Sequence, residues 1–169
     1  ILNDAPLTDT DVDILHEKTK GWASALYLAL MHYMNGQSLS MMDDGEELIR
    51  TAFYNGLDDS TKHSLLILSK ISNFTLDQAE YITKDRSIRS TLKRLYDYNC
   101  FTKYDEDAGT YSFHSVLKDF LSNEFEKSDI DEQMIYELQG DWYLAVGERI
   151  NAISAYTMCS DNKRILEIM

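Results

Sequence analysis

Proline is almost absent from this chain of 169 residues: Pro6 is its only one, and seven glycines complete the stock of strong chain breakers. An all-β fold needs a turn signal roughly every 8 to 12 residues, so that class is excluded. Cysteine is nearly as scarce. Cys100 and Cys159 lie far apart, without the short spacing of a zinc ligand pair, and read as buried thiols of a reducing compartment. Positive charge is also short. Sixteen Lys and Arg against 29 Asp and Glu leave a net −13. A surface of that sign repels phosphate backbones, so direct nucleic-acid contact by this chain is not expected, whereas a neutral or basic protein partner is compatible with it. No run of about 18 apolar residues occurs, which predicts no membrane span and a cytoplasmic location. The chain has no G-x-x-x-x-G-K-[ST] phosphate loop and no identifiable acidic strand end for magnesium. Ser64 and Ser69 lack a glycine elbow, and His16, His32 and His63 have no ligand spacing. No catalytic residue and no metal site is therefore predicted.

What is present is helical. Hydrophobic residues at 44% and charged residues at 27% give an ordinary globular balance, long enough for one full domain or two small ones. Thr8 and Thr10 precede the acidic pair Asp11 and Asp13 and predict a helix start, with a stop at Gly21. From Trp22 to Met34 the chain is apolar almost all round. Trp22, Ala25, Leu26, Ala29, Leu30 and Tyr33 share one face, which predicts a helix buried on several sides. A short helix follows from Glu46 to Tyr54, closed by Asn55-Gly56. Asp58 is placed to cap the next, whose Leu65, Leu66, Leu68 and Ile71 turn inward. Thr75-Leu76-Asp77-Gln78 has capping-box spacing, and Ser87 opens a helix with Ile88, Leu92, Leu95 and Tyr96 on one stripe. Cys100–Tyr104 and Thr110–Phe113 alternate as strands around the acidic turn Asp105-Glu106-Asp107-Ala108-Gly109. Three helices followed by a two-stranded hairpin is the element order of a winged helix. Arg86, Arg89, Lys93 and Arg94 on its third helix invite a DNA reading. The acidic turn opposes it, so these side chains are expected to face another domain or solvent. Beyond it, Ser128-Asp129 with Glu132 marks a further start. Ile135, Leu138, Trp142 and Val146 form its inner stripe, Ile150, Ile153 and Tyr156 serve a partner helix, and a third begins near Asp161. Helix pairs of this length read as the first unit of a repeat array.

The junction of the second strand with the next helix, Tyr111-Ser112-Phe113-His114-Ser115-Val116-Leu117-Lys118-Asp119-Phe120-Leu121, carries the most chemical information. Val116, Leu117, Phe120 and Leu121 lie on one side of that helix. His114 stands at its first turn, where an imidazole and the terminal N–H groups can meet an anion. A capping or core histidine is the plainer reading of the same position.

Several segments in order resemble the MalT-type large ATP-binding regulators of the LuxR group, within the STAND class of signalling NTPases. Lys20-Gly21-Trp22-Ala23-Ser24-Ala25-Leu26 resembles the T-E-G-W-P-A-G-L stretch that opens their helical lid, and the G-L-P-L motif of the wider class. Phe113-His114-Ser115-Val116-Leu117-Lys118-Asp119-Phe120-Leu121 resembles Y-H-H-L-F-A-D-F-L and the M-H-D motif of relatives. Gly140-Asp141-Trp142-Tyr143, then Ala152-Ile153-Ser154-Ala155-Tyr156, resemble the first superhelical repeat. The family's proline after the tryptophan is Ala23 here, and the second histidine of its pair is Ser115.

The resemblance implies a mainly α fold: a helical lid (1–56), a winged-helix subdomain with a small β-hairpin (57–127), and the start of a TPR-like helical repeat (128–169). It implies that His114, Trp22 and Ala23 contact a nucleotide, ATP or ADP, held by an upstream nucleotide-binding domain of the same protein. His114 would be a latch that bonds to phosphate in a closed ADP state. An inducer, not identifiable from the sequence, would favour opening and self-association, exposing a distal DNA-binding domain. The opening Ile1-Leu2-Asn3 and the close inside Arg164–Met169 read as cut ends of that longer chain. The alternative reading is a stand-alone acidic helical adaptor for a protein partner.

Overall fold

The computed structural model describes residues 7–19, 23–34, 45–97 and 101–168. The first helix, α1 (Asp9–Thr19), starts where Thr8 and Asp11 cap each other. Asp11 N–H donates to the Thr8 hydroxyl (3.2 Å), and the Asp11 carboxylate accepts from Thr8 N–H (2.9 Å). This is a capping box with Asp in place of Glu. Next, α2 (Ala23–Met34) packs on α1 and on α3 (Gly45–Ala52). Ala25 and Ala29 are buried, but Leu26 and Tyr27 are 40% and 42% exposed. The expected inward face is thus corrected at Leu26, while Leu30 and Tyr33 on the same face are half-buried.

The centre of the molecule is α4 (Asp59–Ser69), entered through a 3-10 turn at Tyr54–Gly56. Asp58 caps it, accepting from Thr61 N–H and from the Thr61 hydroxyl at 2.8 Å each. Leu65, Leu66, Ile67 and Leu68 are all buried, so the helix is surrounded rather than amphipathic. Thr75 caps α5 (Leu76–Thr83) through Gln78 N–H (3.1 Å), and Lys84 ends it in a left-handed conformation (φ 56°). Asp85 then ties the next turn back to α4. Its carboxylate accepts from the hydroxyls of Ser64 (3.0 Å) and Ser87 (2.7 Å). Burial works against its charge, but these bonds outweigh burial and lower its pKa.

Helix α6 (Ile88–Asp97) leads to strands β1 (Thr102–Asp105) and β2 (Thr110–Phe113). They pair antiparallel, with Thr102 opposite Phe113 and Tyr104 opposite Tyr111. Phe74 extends the sheet by one bridge on the far side of β2, exchanging N–H···O bonds with Tyr111 (3.0 and 2.8 Å). Three helices and this hairpin form the expected winged helix. After it come α7 (Ser115–Phe125), α8 (Glu132–Ala145), α9 (Arg149–Met158) and α10 (Asn162–Ile168).

Three local expectations change. The start at Ser128-Asp129 moves to Asp131, whose carboxylate accepts from Gln133 N–H (2.9 Å). Ser128 instead closes α7 by donating its hydroxyl to Phe125 C=O (2.7 Å). Val146 and Ile150 lie outside, 51% and 83% exposed, while Ala152, Ala155 and Tyr156 form the buried stripe of α9. Gly140 of α8 leaves the room that the Tyr156 ring fills where the two helices meet. Nor does α8 stand apart from the winged helix. Ile135 is fully buried in the common core, and the Trp142 and Tyr81 rings are 5.4 Å apart.

A β-carbon added at Gly140 would sit 2.5 Å from the fully buried Tyr156 ring. Gly140→Ala is therefore expected to lose about 1–3 kcal/mol through overpacking, against the small gain in helix propensity. Urea denaturation would measure it, and a variant as stable as the parent would contradict the packing described.

Candidate nucleotide-contact site at the head of α7

The site is built by the end of β2. Strand alternation turns Tyr111 and Phe113 inward, both buried, and leaves Ser112 on the outer face, opposite Lys103. His114 follows as the N-cap residue of α7 (φ −59°, ψ 143°) and makes no side-chain cap bond to that helix. Its backbone is fixed at both groups: N–H donates to Phe101 C=O (2.6 Å), and C=O accepts from Lys118 N–H (2.9 Å). Phe101 holds a left-handed conformation (φ 73°) while fully buried, its ring centroid 5.2 Å from that of Phe53. A bulky residue keeps that conformation only when its surroundings over-determine it.

The His114 side chain is half-buried. Burial lowers the pKa of its imidazole from the ordinary 6.5, and the nearby Lys103 ammonium lowers it further. The neutral ring is thus the form that the fold favours. A neutral imidazole carries one N–H donor and one acceptor nitrogen, and the first turn of α7 brings backbone N–H groups to the same corner. The arrangement can accept an anion, or a hydrogen-bond acceptor, at the outer corner between hairpin and helix.

Of the other expected contacts, Ala23 is the first residue of α2, and Trp22 lies outside the described residues. Helices α3 and α7 are linked instead by side chains that sequence reasoning did not single out. Arg50 Nη1 lies 3.0 Å from Glu124 Oε1, and Asn123 Nδ2 donates to Glu46 Oε1 (2.7 Å). The Arg50 guanidinium also sits 5.1 Å from the Phe120 ring centroid. Glu124 is largely covered, and burial opposes its charge. Bonds from Lys127 and Arg50 outweigh burial and lower its pKa. These partners are far apart in the chain, beyond the reach of any local pattern.

The basic residues of α6 also separate. Arg89 is held within the domain by Glu80 and Asp77, and Arg86 Nε lies 3.6 Å from Glu80. The expectation that all four face another domain or solvent is corrected for Arg89, because two carboxylates of α5 lie beside it. Lys93 and Arg94 are exposed. Cys159 is a half-buried free thiol, and Cys100 lies outside the described residues. No helix among the described residues is long and apolar enough to cross a membrane.

The lowered imidazole pKa has a defined sign. The folded state disfavours protonation, so this contribution to stability is complete above pH 6.5 and is lost as pH falls through the lowered folded value. NMR titration is expected to give His114 a midpoint below 6.5, moving upward in Lys103→Gln. A midpoint at or above 6.5 would contradict the geometry.

Comparison with known proteins bears on the same region. No curated protein matches the sequence significantly. Residues 51–133 match the family model described as the MalT winged helix domain. The matched span runs from the end of α3 to the first turn of α8 and holds the whole hairpin, His114 and α7. This chain carries a MalT-type winged-helix domain.

Proposed function

We propose that the chain is part of a MalT-like, multidomain transcriptional regulator, in which the head of α7 closes over a nucleotide bound by a preceding domain. In this reading residues 1–56 form the lid, 57–127 the winged helix, and 128–169 the start of a superhelical sensor. ADP holds the closed form. Inducer binding to the superhelix favours ATP, opening and self-association. His114 is the latch, donating an imidazole N–H to a phosphate oxygen. Trp22 and Ala23 line the same nucleotide from the lid.

One observation carries the proposal. A half-buried histidine with a fixed backbone caps a helix whose first turn has no side-chain cap, inside a domain of MalT type. The lowered imidazole pKa sets the strength expected of the bond. A neutral donor contributes about 0.5–1.5 kcal/mol, less than the charge-assisted bond of a protonated ring.

The test is ADP calorimetry on protein that includes the residues preceding Ile1, with and without His114→Ala. Binding is expected to weaken about two- to tenfold in the variant, with raised basal activation. Tight binding indifferent to the substitution would make His114 a structural residue. Failure of the extended protein to bind ADP would overturn the nucleotide-gated reading in favour of an acidic adaptor.

A further inference from the structure

The tip of the winged helix presents a surface that the nucleotide reading does not use. Tyr96 at the end of α6, Tyr104 on β1 and Tyr111 on β2 form a continuous ring cluster. Their centroids are 5.9 Å (Tyr96–Tyr104), 4.7 Å (Tyr104–Tyr111) and 6.2 Å (Tyr96–Tyr111) apart. Tyr111 is buried beneath, whereas Tyr96 and Tyr104 are each 38% exposed. Exposed aromatic residues braced by a buried one present fixed faces at low entropy cost.

The surroundings are acidic. Asp97 is the neighbour of Tyr96, and Glu106 and Asp107 form the turn beside Tyr104, all three exposed. Asp105 instead shapes the turn, its carboxylate accepting from Asp107 N–H (3.0 Å) and Ala108 N–H (3.1 Å). The strand register puts Lys103 on the opposite sheet face from Tyr104, while the exposed Lys93 and Arg94 stand one turn before Asp97 on α6. Among the described residues the sheet has two strands, so the outer edge of β1 has no strand beside it.

Exposed tyrosine faces within a carboxylate rim, next to an open strand edge, match one ligand chemistry. A guanidinium can stack on the phenol rings while its N–H groups meet the carboxylates, a geometry that an ammonium cannot reproduce. An extended segment can lie along the edge of β1. We propose that the wing docks an extended, arginine-bearing protein segment through Tyr96, Tyr104, Asp97, Glu106 and Asp107.

The probe is a fluorescein-labelled nona-arginine peptide, titrated into the 169-residue chain by fluorescence polarisation, with amide shifts mapped by NMR. Shifts are expected at residues 96–97 and 102–111. Tyr104→Ala should weaken binding about two- to fivefold, and Glu106→Gln with Asp107→Asn about fivefold. Nona-lysine should bind measurably more weakly. The control pair Asp9→Asn with Asp13→Asn removes the same charge from α1 and should leave affinity nearly unchanged. Equal losses in the control, or shifts spread over α1 and α8–α10, would show attraction to net charge alone and overturn the proposal. Equal affinity for nona-lysine would remove the role of the tyrosines. A concentration-dependent dimer that covers the wing without peptide would replace the arginine segment with a second copy.

Discussion

Everything at the candidate site depends on how α7 is buried. Leu117, Phe120 and Leu121 are fully buried and Phe125 nearly so, packed against α3 and α4. Burying side chains of this size is worth about 1.5–3 kcal/mol each, so the helix cannot rotate to present another face without losing most of the core. Its N-terminus is thereby fixed in space, and His114 with it. The backbone bond from His114 to Phe101 secures one end of this arrangement. The Arg50–Glu124 pair secures the side facing α3. A histidine on a surface loop would have neither constraint, and the entropy of ordering it would offset much of a single hydrogen bond.

The same packing joins the winged helix to the helices after it. Lys70, at the end of α4, reaches Glu126 (3.3 Å) and Glu132 (3.5 Å) while lying 4.2 Å from the Phe125 ring centroid. One ammonium thus gathers the end of α7 and the start of α8. Tyr81 on α5 meets Trp142 on α8 one layer further on. On the other side of α8, the Tyr156 hydroxyl donates to Asp141 (2.6 Å), and Arg164 pairs with the same carboxylate. Burial, then the bond to Asp141, raises the Tyr156 pKa to about 12, with Arg164 acting in the opposite direction. This cluster pins α9 and α10 to α8. A change in the helical arm has a packed route to the head of α7, through α8, α5 and α4, and none of its contacts depends on a long loop.

Much of this was legible in the sequence, for identifiable reasons. Asp58 and Thr75 announce helix starts through short-range bonds that a four-residue window contains. The alternation of Tyr111, Ser112 and Phe113 is equally local, which is why β2 falls on its expected residues. Ser128 misled because a serine hydroxyl can close a helix as well as open one, and the choice depends on the Phe125 carbonyl beside it. Ile150 misled because apolar spacing marks a stripe without saying whether a neighbour covers it. Arg50 with Glu124, and Lys70 with Glu132, were illegible because they join distant parts of the chain. Of the expected site, the placement of His114 was readable from the strand-to-helix switch. Its lowered pKa was not, since that depends on Lys103 across the hairpin and on how deeply the ring sits.

The central claim is that the His114 ring faces a bound phosphate. It is tested most directly by the ring nitrogen NMR shifts of His114 in protein extended to include the proposed nucleotide-binding domain, recorded before and after saturation with ADP. The account predicts a marked shift of one ring nitrogen, as its N–H becomes a donor to phosphate, with the ring still neutral near pH 7. Ring nitrogens unchanged at saturating ADP would contradict it.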